Sequence, residues 1–262
     1  MTASLRLSLS QFADCRWVAS TGSTNTDLMD MARNRGALAR WPQLLGAHQQ
    51  TSGKGRLGRT WHNVAGKALM FSCGFQLPWP HSNPQALRGL GPAIGYASAC
   101  SIASHLGQSH RLSVKWPNDL MLGDGKLGGI LIETNIKANA QFVIVGLGLN
   151  LAGHEDLSLE LNREVAALDD GVVDYTDLVA SLARAWHETL HQSVLAGFMP
   201  FHQGFESRDY LAGRTIDLWH QQNVLASGVA CGLATDGSLQ IRTADGIKAF
   251  NAGDISVGLH RE

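Results

Sequence analysis

The chain has 262 residues, of which 44% are apolar and 16% charged, and its formal net charge is −1. This composition is typical of a folded protein with a sizeable core and argues against intrinsic disorder. No run of 18 apolar residues occurs, which argues against a membrane span, and the N-terminus lacks the apolar core of a signal peptide. We therefore expect a cytoplasmic protein.

Neither the cysteines nor the histidines form a strong metal or disulfide pattern. The four cysteines are scattered without a C-x-x-C pair, which fits reduced thiols in the cytoplasm. His187 and His191 are four residues apart on a predicted helix and could share one metal ion, but no third ligand accompanies them. An exposed helix face is the simpler interpretation.

Charge is unevenly distributed along the chain. Residues 31–118 contain ten lysines and arginines and no acid, so this span carries +10, whereas 151–210 is rich in acids. Such a span creates a positive potential where its loops converge, which predicts a site for an anionic small molecule. A nucleic-acid surface is the alternative, although the cations form no dense run and few aromatic residues lie among them.

The first predicted elements are a short strand over 16–20 and a helix over 24–35. Ser23 or Thr24 is expected to cap this helix, because a hydroxyl accepts from the free N–H groups of the first turn. Together with Asn25, the same hydroxyls could bind a neutral polar group of a ligand, although capping alone would explain them. A strand over 44–49 then leads into a glycine-rich loop over 51–66.

This loop contains GKGRLGR at 53–59, which matches G-x-G-x-x-G. A dinucleotide fingerprint needs an immediate helix and an acid roughly 20 residues later, and the sequence predicts neither. The glycines instead supply backbone N–H donors, and Lys54, Arg56 and Arg59 can reach separate oxygens of a carboxylate or polyphosphate. A basic surface loop without a ligand remains the alternative.

Further predicted elements are a strand over 68–77, a small-residue helix over 85–106 that Pro92 kinks or restarts, and a short strand over 111–115. KWPNDL then forms a loop, 116–119. Its Asp119 is the first carboxylate after 88 residues without one. It could hold Mg²⁺ or accept from a cation, whereas an Asx turn is the plainer explanation.

Two predicted strands, 128–133 and 141–145, carry the next polar groups. Lys126 stands beside glycines and could lie against a ligand, although a charged turn residue would look the same. In VGLGLN, Gly146 and Gly148 permit close approach of a flat ligand, and Asn150 offers a donor and an acceptor to a nucleobase. A β-bulge is the alternative for these glycines.

The C-terminal part of the sequence has a different pattern of apolar and turn residues. After an amphipathic helix over 175–195, short apolar segments follow residue 210, separated by turn signals at Asp236-Gly237 and Asp245-Gly246. They predict a small β-barrel appended to a mixed α/β domain. We place the domains at 1–209 and 210–262.

Taken together, STN, QTSGKGRLGRTW, KWPNDL, GKLGGILIE and VGLGLN, followed by a small β tail, resemble the biotin protein ligases from about residue 17 to 259. The resemblance implies an α+β fold, in which helices flank a mixed sheet of the class II synthetase and biotin–lipoate ligase type, plus a C-terminal barrel of the Src-homology-3 type. It also implies that biotin and MgATP give biotinyl-5′-adenylate, from which a lysine of a biotin carboxyl carrier protein, an acetyl-CoA carboxylase subunit, takes the biotin.

The resemblance further implies roles for individual residues. The biotin site would consist of Ser23, Thr24, Asn25, Gln50, Lys54, Gly55, Arg56, Lys126, Gly146 and Gly148. The ATP site would consist of Arg59, Trp61, Lys115, Asn118 and Asn150, with Trp61 stacking near adenine. Catalysis would depend on Lys126, Arg56, Lys115 and Asp119, with Asp119 also on Mg²⁺. Lys126 would bridge the biotin carboxyl and the α-phosphate.

Two departures from the family pattern stand out. Lys54 occupies a position that usually holds arginine, so the charge is kept and the forked contact is lost. Only about 15 residues precede Trp17, so we expect no DNA-binding repressor domain. A lipoate or octanoate ligase on the same fold, or a non-catalytic anion-binding or nucleic-acid-binding module, remains an alternative, and either a monomer or a homodimer is compatible with the resemblance.

Overall fold

The computed structural model describes residues 1–62, 66–79, 87–106, 112–137, 139–153, 155, 158–159, 164–168, 174–221, 223–253 and 255–260. The α-helices in these ranges are α1 (Thr2–Ser8), α2 (Thr24–Asn34), α3 (Leu90–Leu106), α4 (Thr176–Ala196) and α5 (His202–Glu206). The strands are β1 (Asp14–Thr21), β2 (Gln43–Gln50), β3 (Ala68–Pro78), β4 (Leu112–Lys115), β5 (Asp119–Leu122), β6 (Gly125–Lys137), β7 (Ala140–Asn150), β8 (Thr215–His220), β9 (Asn223–Leu233), β10 (Leu239–Thr243), β11 (Gly246–Phe250) and β12 (Ile255–Leu259).

Seven strands form the main sheet, in the order β1-β2-β3-β7-β6-β5-β4. Strands β1 and β2 are parallel, and the other neighbours are antiparallel. Because side chains alternate between the two faces of a strand, Phe71 and Ser72 of β3 point to opposite sides of this sheet. The predicted mixed sheet flanked by helices is confirmed.

One face of the sheet packs against α3 and α4 and carries most of the core. Trp186 of α4 stacks on Phe71 with ring centroids 5.0 Å apart, and its indole N–H donates to the Ser98 hydroxyl of α3 over 2.8 Å. Gly95 lets α3 approach the sheet closely, since a Cβ there would lie 2.9 Å from Val114. The small residues of α3 thus allow close packing against the sheet.

Helix α2 packs on the opposite face. Its Leu28 and Met29 are buried with Ile144 of β7. The predicted cap is confirmed, because the Ser23 hydroxyl accepts from the Thr26 N–H. The start of α2 therefore lies against the central strands, and the candidate site is found there.

The C-terminal strands form an antiparallel sheet in the order β11-β10-β9-β8-β12, consistent with the expected Src-homology-3 type. Ile216 and Ile241 belong to the same core as the main sheet, and the Trp116 indole donates to the Gly237 carbonyl over 3.0 Å. Thr243 pairs with Gly246, so the second hairpin turns one residue earlier than predicted. The domain boundary near residue 210 stays a prediction.

Four sequence-based elements have the wrong bounds. The helix predicted over 85–106 begins at Leu90; residues 87–89 form a turn, 80–86 lie outside the described residues, and Pro92 sits in the first helical turn, where its missing N–H leaves no bond unmade. The loop predicted over 116–119 ends early, because Asp119 starts β5. Strands β6 and β7 extend well beyond the predicted segments.

In the described part of the chain, no helix is both long and apolar enough to cross a membrane.

Candidate active site

A single cavity lies where the start of α2, the glycine loop and the ends of the central strands meet. The residues that line it come from every motif singled out in the sequence, together with the last strand of the C-terminal sheet. They are Ser23, Thr24, Asn25, Gln50, Lys54, Gly55, Arg56, Leu57, Arg59, Thr60, Trp61, Ser72, Lys115, Trp116, Pro117, Asn118, Asp119, Lys126, Gly129, Ile130, Leu131, Gly146, Leu147, Gly148, Ser256 and Val257.

At one end, the cavity floor consists of neutral hydrogen-bonding groups. Gln50 Oε1 accepts from the Thr24 backbone N–H over 2.7 Å, and the Thr24 and Ser72 hydroxyls lie 2.7 Å apart. Ser72 Oγ donates to Asn25 Oδ1 over 2.6 Å. Asn25 and Ser72 are buried, so their bonds to each other satisfy polar atoms that water does not reach. This end suits a neutral polar ligand group.

Two glycines of β7 let side chains lie flat on the sheet. A Cβ at Gly146 would come within 2.0 Å of Asn25 Oδ1, and one at Gly148 would come within 2.3 Å of the Trp61 ring. Any larger residue would displace Asn25 or Trp61. These glycines therefore divide the wall into an Asn25 part and a Trp61 part.

The glycine loop is a small hairpin over the cavity. Lys54 and Thr60 form an antiparallel bridge, and the Gly55 N–H donates to the Arg59 carbonyl over 2.7 Å. The tip is a short 3-10 turn, Arg56–Gly58, in which Leu57 has a positive φ of 57°. No helix follows within the described residues 59–62 and 66–67, before β3 begins. The hairpin brings three cations to the mouth of the cavity.

Lys126 and Asp119 form the central ion pair. Lys126 Nζ lies 2.6 Å from Asp119 Oδ1, and both side chains are largely buried, with 18% and 26% of their surface exposed. The Lys126 ammonium also lies 6.0 Å from the centre of the Trp61 ring. The lysine backbone is fixed by Glu164, whose carbonyl accepts from Lys126 N, and by Ala166, whose N–H donates to Lys126 O.

Arg56 connects the glycine loop to the C-terminal sheet. Its guanidinium donates to the carbonyls of Ala252 and Gly253, each over 2.8 Å, and to Asn118 Oδ1 over 3.4 Å. The Asn118 amide in turn donates to the Ile130 carbonyl over 2.6 Å. The C-terminal sheet thus takes part in holding the loop over the cavity.

The electrostatic balance of the cavity is strongly positive. Lys54, Arg56, Arg59, Lys115 and Lys126 line it, and among the described lining residues Asp119 is the one carboxylate. Confined cations with few counter-charges attract anions. The positive span of the sequence therefore contributes to a cavity. Elsewhere, Arg33 pairs with Asp30 and Arg88 with Asp236, and Arg111 lies outside the described residues.

We compared the chain with models of known protein families. A model of the biotin/lipoate A/B protein ligase family matches residues 17–150, and a biotin protein ligase C-terminal domain model matches residues 215–258. The chain belongs to the biotin/lipoate A/B protein ligase family.

Two curated relatives and one solved structure show how far the likeness to family members extends. The bifunctional ligase/repressor BirA of Escherichia coli (strain K12) is 30% identical over 238 residues, which cover 90% of this chain and 71% of that protein. The biotin–[acetyl-CoA-carboxylase] ligase of Paracoccus denitrificans is 29% identical over 92% of this chain and 99% of its own length. The structure of an Aquifex aeolicus biotin protein ligase in complex with biotin and ATP superposes with a TM-score of 0.77 at 25% identity, covering 95% of this chain and all of that one.

In this member of the family, all but one of the predicted site residues line the cavity. The exception is Asn150, whose Nδ2 donates to the carbonyls of Lys126 and Ala166 over 3.3 and 3.1 Å. These bonds fix the backbone of Lys126. They use Nδ2 of the Asn150 side chain as the donor, so Oδ1 is its hydrogen-bond acceptor. A direct contact between Asn150 and ATP stays a prediction.

Sequence reasoning missed several residues of the site. Ser72 lies in the middle of a strand without any motif, and its polarity at a buried position was the only available signal. Ser256 and Val257 reach the cavity from β12, and nothing in the sequence indicates that the C-terminal sheet returns to it.

His187 Nε2 and His191 Nε2 lie 3.1 Å apart on α4, and no group of three potential metal ligands occurs among the residues that the structure describes.

Proposed function

We propose that this protein is a biotin–[biotin carboxyl carrier protein] ligase, an ATP-dependent, AMP-forming enzyme. One observation carries the proposal: the cavity has a neutral hydrogen-bonding floor at one end and is also lined by five cations. Biotin has this polarity, with a neutral ureido ring and a carboxylate tail. The second anion, the ATP phosphates, needs the remaining cations.

The proposed reaction has two steps. A carboxylate oxygen of biotin attacks the α-phosphorus of ATP, and pyrophosphate leaves with the electrons of the broken bond, which gives biotinyl-5′-adenylate. The amine of an acceptor lysine then attacks the carbonyl carbon of this mixed anhydride, AMP leaves, and the amine loses a proton as the amide forms. Both steps need two reactants held together and charge stabilised, which positioned cations supply.

Each residue has a defined part in this proposal. Lys126 neutralises the meeting carboxylate and α-phosphate, and Asp119 holds Lys126 in place and accepts from the incoming amine. Arg56 and Lys54 cover the adenylate, because both line the cavity from the hairpin above it. Arg59 and Lys115, with Asn118, serve the phosphates.

The adenine would lie on the Trp61 side of the wall. The Trp61 indole N–H is buried without a hydrogen-bond partner among the described residues, so an acceptor on a ligand, reached after a small shift, would satisfy it. Ring stacking on an indole is favourable for a nucleobase. Asn150, with Oδ1 as its acceptor, suits an exocyclic amino group such as that of adenine.

Magnesium enters this scheme as part of the substrate MgATP. Mg²⁺ commonly binds through one or two carboxylates together with phosphate oxygens and water. Asp119 supplies one carboxylate, which suits an ion that arrives with the phosphates and does not suit a metal held by the protein alone. Removal of Mg²⁺ with a chelator is expected to abolish the first step and to leave biotin binding intact.

The neutral floor also bears on the rival substrates. Lipoate and octanoate end in a dithiolane or a hydrocarbon, which would leave Asn25, Gln50 and their neighbours facing apolar groups at a cost. We therefore expect biotin, and not lipoate, to be transferred. We also expect a cytoplasmic protein that does not bind DNA or membranes, with residues 1–209 as the catalytic domain and 210–262 as the C-terminal one, in a monomer or homodimer.

The test is transfer to an acceptor. A purified biotin carboxyl carrier domain is incubated with the protein, MgATP and either biotin, lipoate or octanoate, and the mass of its target lysine peptide is measured. A biotin-sized increase that requires ATP supports the proposal. An increase with lipoate or octanoate alone would replace it with the rival ligase activity, and no increase with any acid would refute it.

A further inference from the structure

We infer that Glu133, a residue outside the cavity, sets the direction of the hydrogen bonds in the cavity floor and thereby makes the floor selective for ligands with N–H donors. Glu133 acts through Ser72 and Asn25 and is a positioning residue for the ligand. This inference rests on the proposed function, in which the ureido ring of biotin binds at this end.

The chain of hydrogen bonds starts at Glu133 of β6. Its Oε2 accepts from Asn25 Nδ2 over 2.9 Å, and the Leu131 carbonyl accepts from the same nitrogen over 3.3 Å. A carboxylate and a carbonyl can only accept, so the atom of Asn25 that faces them must be the NH₂ group. The orientation of the Asn25 amide is therefore fixed by two acceptors.

The next bond follows from this orientation. Asn25 Oδ1 faces Ser72 Oγ at 2.6 Å, and a carbonyl oxygen accepts only, so the single hydroxyl proton of Ser72 points to Asn25. Gly146 lies directly beneath this amide oxygen, where a Cβ would come within 2.0 Å of it. Ser72 thus faces Thr24 with its lone pairs.

The last hydroxyl in the chain is that of Thr24. Two acceptors lie near its proton, namely Ser72 Oγ at 2.7 Å and Gln50 Oε1 at 3.1 Å. Whichever of the two accepts it, the Thr24 hydroxyl proton is donated to a residue of the floor. The Thr24 oxygen therefore presents lone pairs to a ligand. The chain of bonds therefore turns the floor into an acceptor for N–H groups.

This polarity matches a cyclic urea and not its close relatives. A ureido ring offers two N–H donors, whereas a carbamate ring of nearly the same shape offers one and a dithiolane offers none. If Glu133 were lost, Asn25 could turn its NH₂ group towards Ser72, the Ser72 proton would point to Thr24, and the Thr24 oxygen would lose its preference for accepting. The selectivity for N–H donors would fall as a consequence.

The experiment measures affinities by titration calorimetry, without ATP. The ligands are biotin and the two carbamate analogues of biotin, in each of which one ureido N–H is replaced by a ring oxygen. The proteins are the wild type, Glu133→Ala, Glu133→Gln and Ser72→Ala, with Thr134→Ala as a matched control at an exposed neighbour on the same strand. Thermal melting of each variant shows whether it is folded.

We expect Glu133→Ala to weaken biotin binding about tenfold or more, which is the scale of one lost hydrogen bond. The loss should be smaller for the carbamate that lacks the N–H facing Thr24. Glu133→Gln should bind like the wild type, because its amide oxygen can still accept, and Ser72→Ala should resemble Glu133→Ala. If Glu133→Ala does not fold, Ser72→Ala carries the same comparison.

Equal losses for all three ligands would show that Glu133 has only a structural role, and unchanged biotin affinity in Glu133→Ala and Ser72→Ala would also overturn the inference. A wild type that does not bind biotin at all would instead refute the proposed function.

Discussion

Lys126 Nζ donates to Asp119 Oδ1 over 2.6 Å, and both residues line the candidate cavity. Asp119 comes from β5 and Lys126 from β6, two antiparallel neighbours whose register is shifted by an irregularity between Leu120 and Met121. The pair keeps the ammonium in position before the substrates bind. When an anionic ligand enters, the Lys126 ammonium has both Asp119 and that ligand as partners.

Replacement of Lys126 by alanine is expected to slow adenylate formation by at least about a hundredfold, as seen when one preorganised charge or donor is removed. Biotin should still bind, since the neutral floor is intact. Single-turnover measurement of adenylate by rapid quench gives the rate. Lys248→Ala, at an exposed lysine of β11, is the matched control, and near-normal adenylation by Lys126→Ala would contradict the role.

Replacement of Lys54 by arginine is expected to keep or tighten retention of the adenylate. Arginine adds a forked contact where lysine offers a compact charge. Release of adenylate from the loaded protein is followed by filter binding after dilution. Faster release from Lys54→Arg than from the wild type would show that the fork is not needed at this position.

Substitution of the two wall glycines, Gly146 and Gly148, should affect the KM values of the two substrates differently. In Gly146→Ala the new methyl group displaces Asn25, so the KM for biotin should rise well above that for ATP. In Gly148→Ala it displaces Trp61, so the KM for ATP should rise instead. Gly258→Ala is the control, because its Cβ meets its nearest described neighbour at 3.7 Å. Equal effects of both variants on both substrates would contradict the division of the wall.

Asp209 should give the protein a pH-dependent stability. Its Oδ1 accepts from the Leu211 N–H over 2.9 Å, its Oδ2 is buried without a partner among the described residues, and burial raises its pKa to about 6. Between an unfolded pKa of about 3.8 and this value the folded state binds more protons, so its contribution falls as pH rises through that window.

Asp209→Asn should therefore be more stable than the wild type at pH 7.5, by on the order of 2 kcal/mol, with a difference that shrinks towards pH 4. Urea unfolding at both pH values measures it. Asp245→Asn is the control with opposite sign, because the bond to Lys248 lowers the pKa of Asp245. A difference that does not depend on pH would rule out this explanation.

Much of the fold follows from local sequence signals. The amphipathic helix α4, the cap at Ser23 and the hairpin strands after residue 210 carry their information in periodicity and turn residues, which act over a few positions. Strand β5 was missed because four residues without alternation, DLML, give no such signal. The start of α3 was placed too early because Gln85, Ala86, Leu87 and Arg88, which precede the true boundary, are good helix formers.

The site is predictable to the extent that it lies in glycine and cation motifs. Lys54, Lys126 and Gly148 belong to such motifs, and the structure brings them into one cavity. Ser72 and Glu133 could not be found, since their importance arises from contacts between strands that are far apart in the chain. The bond from Arg56 to Ala252 depends on how the C-terminal sheet returns to the cavity, which local patterns do not encode.

The most direct test of the central claim is ATP–pyrophosphate exchange. Labelled pyrophosphate is incubated with the protein and MgATP, with and without biotin, and its incorporation into ATP is measured. We predict exchange that requires biotin, is not supported by lipoate and is lost in Lys126→Ala but kept in Lys248→Ala. Absence of biotin-dependent exchange in the folded wild-type protein would contradict the account.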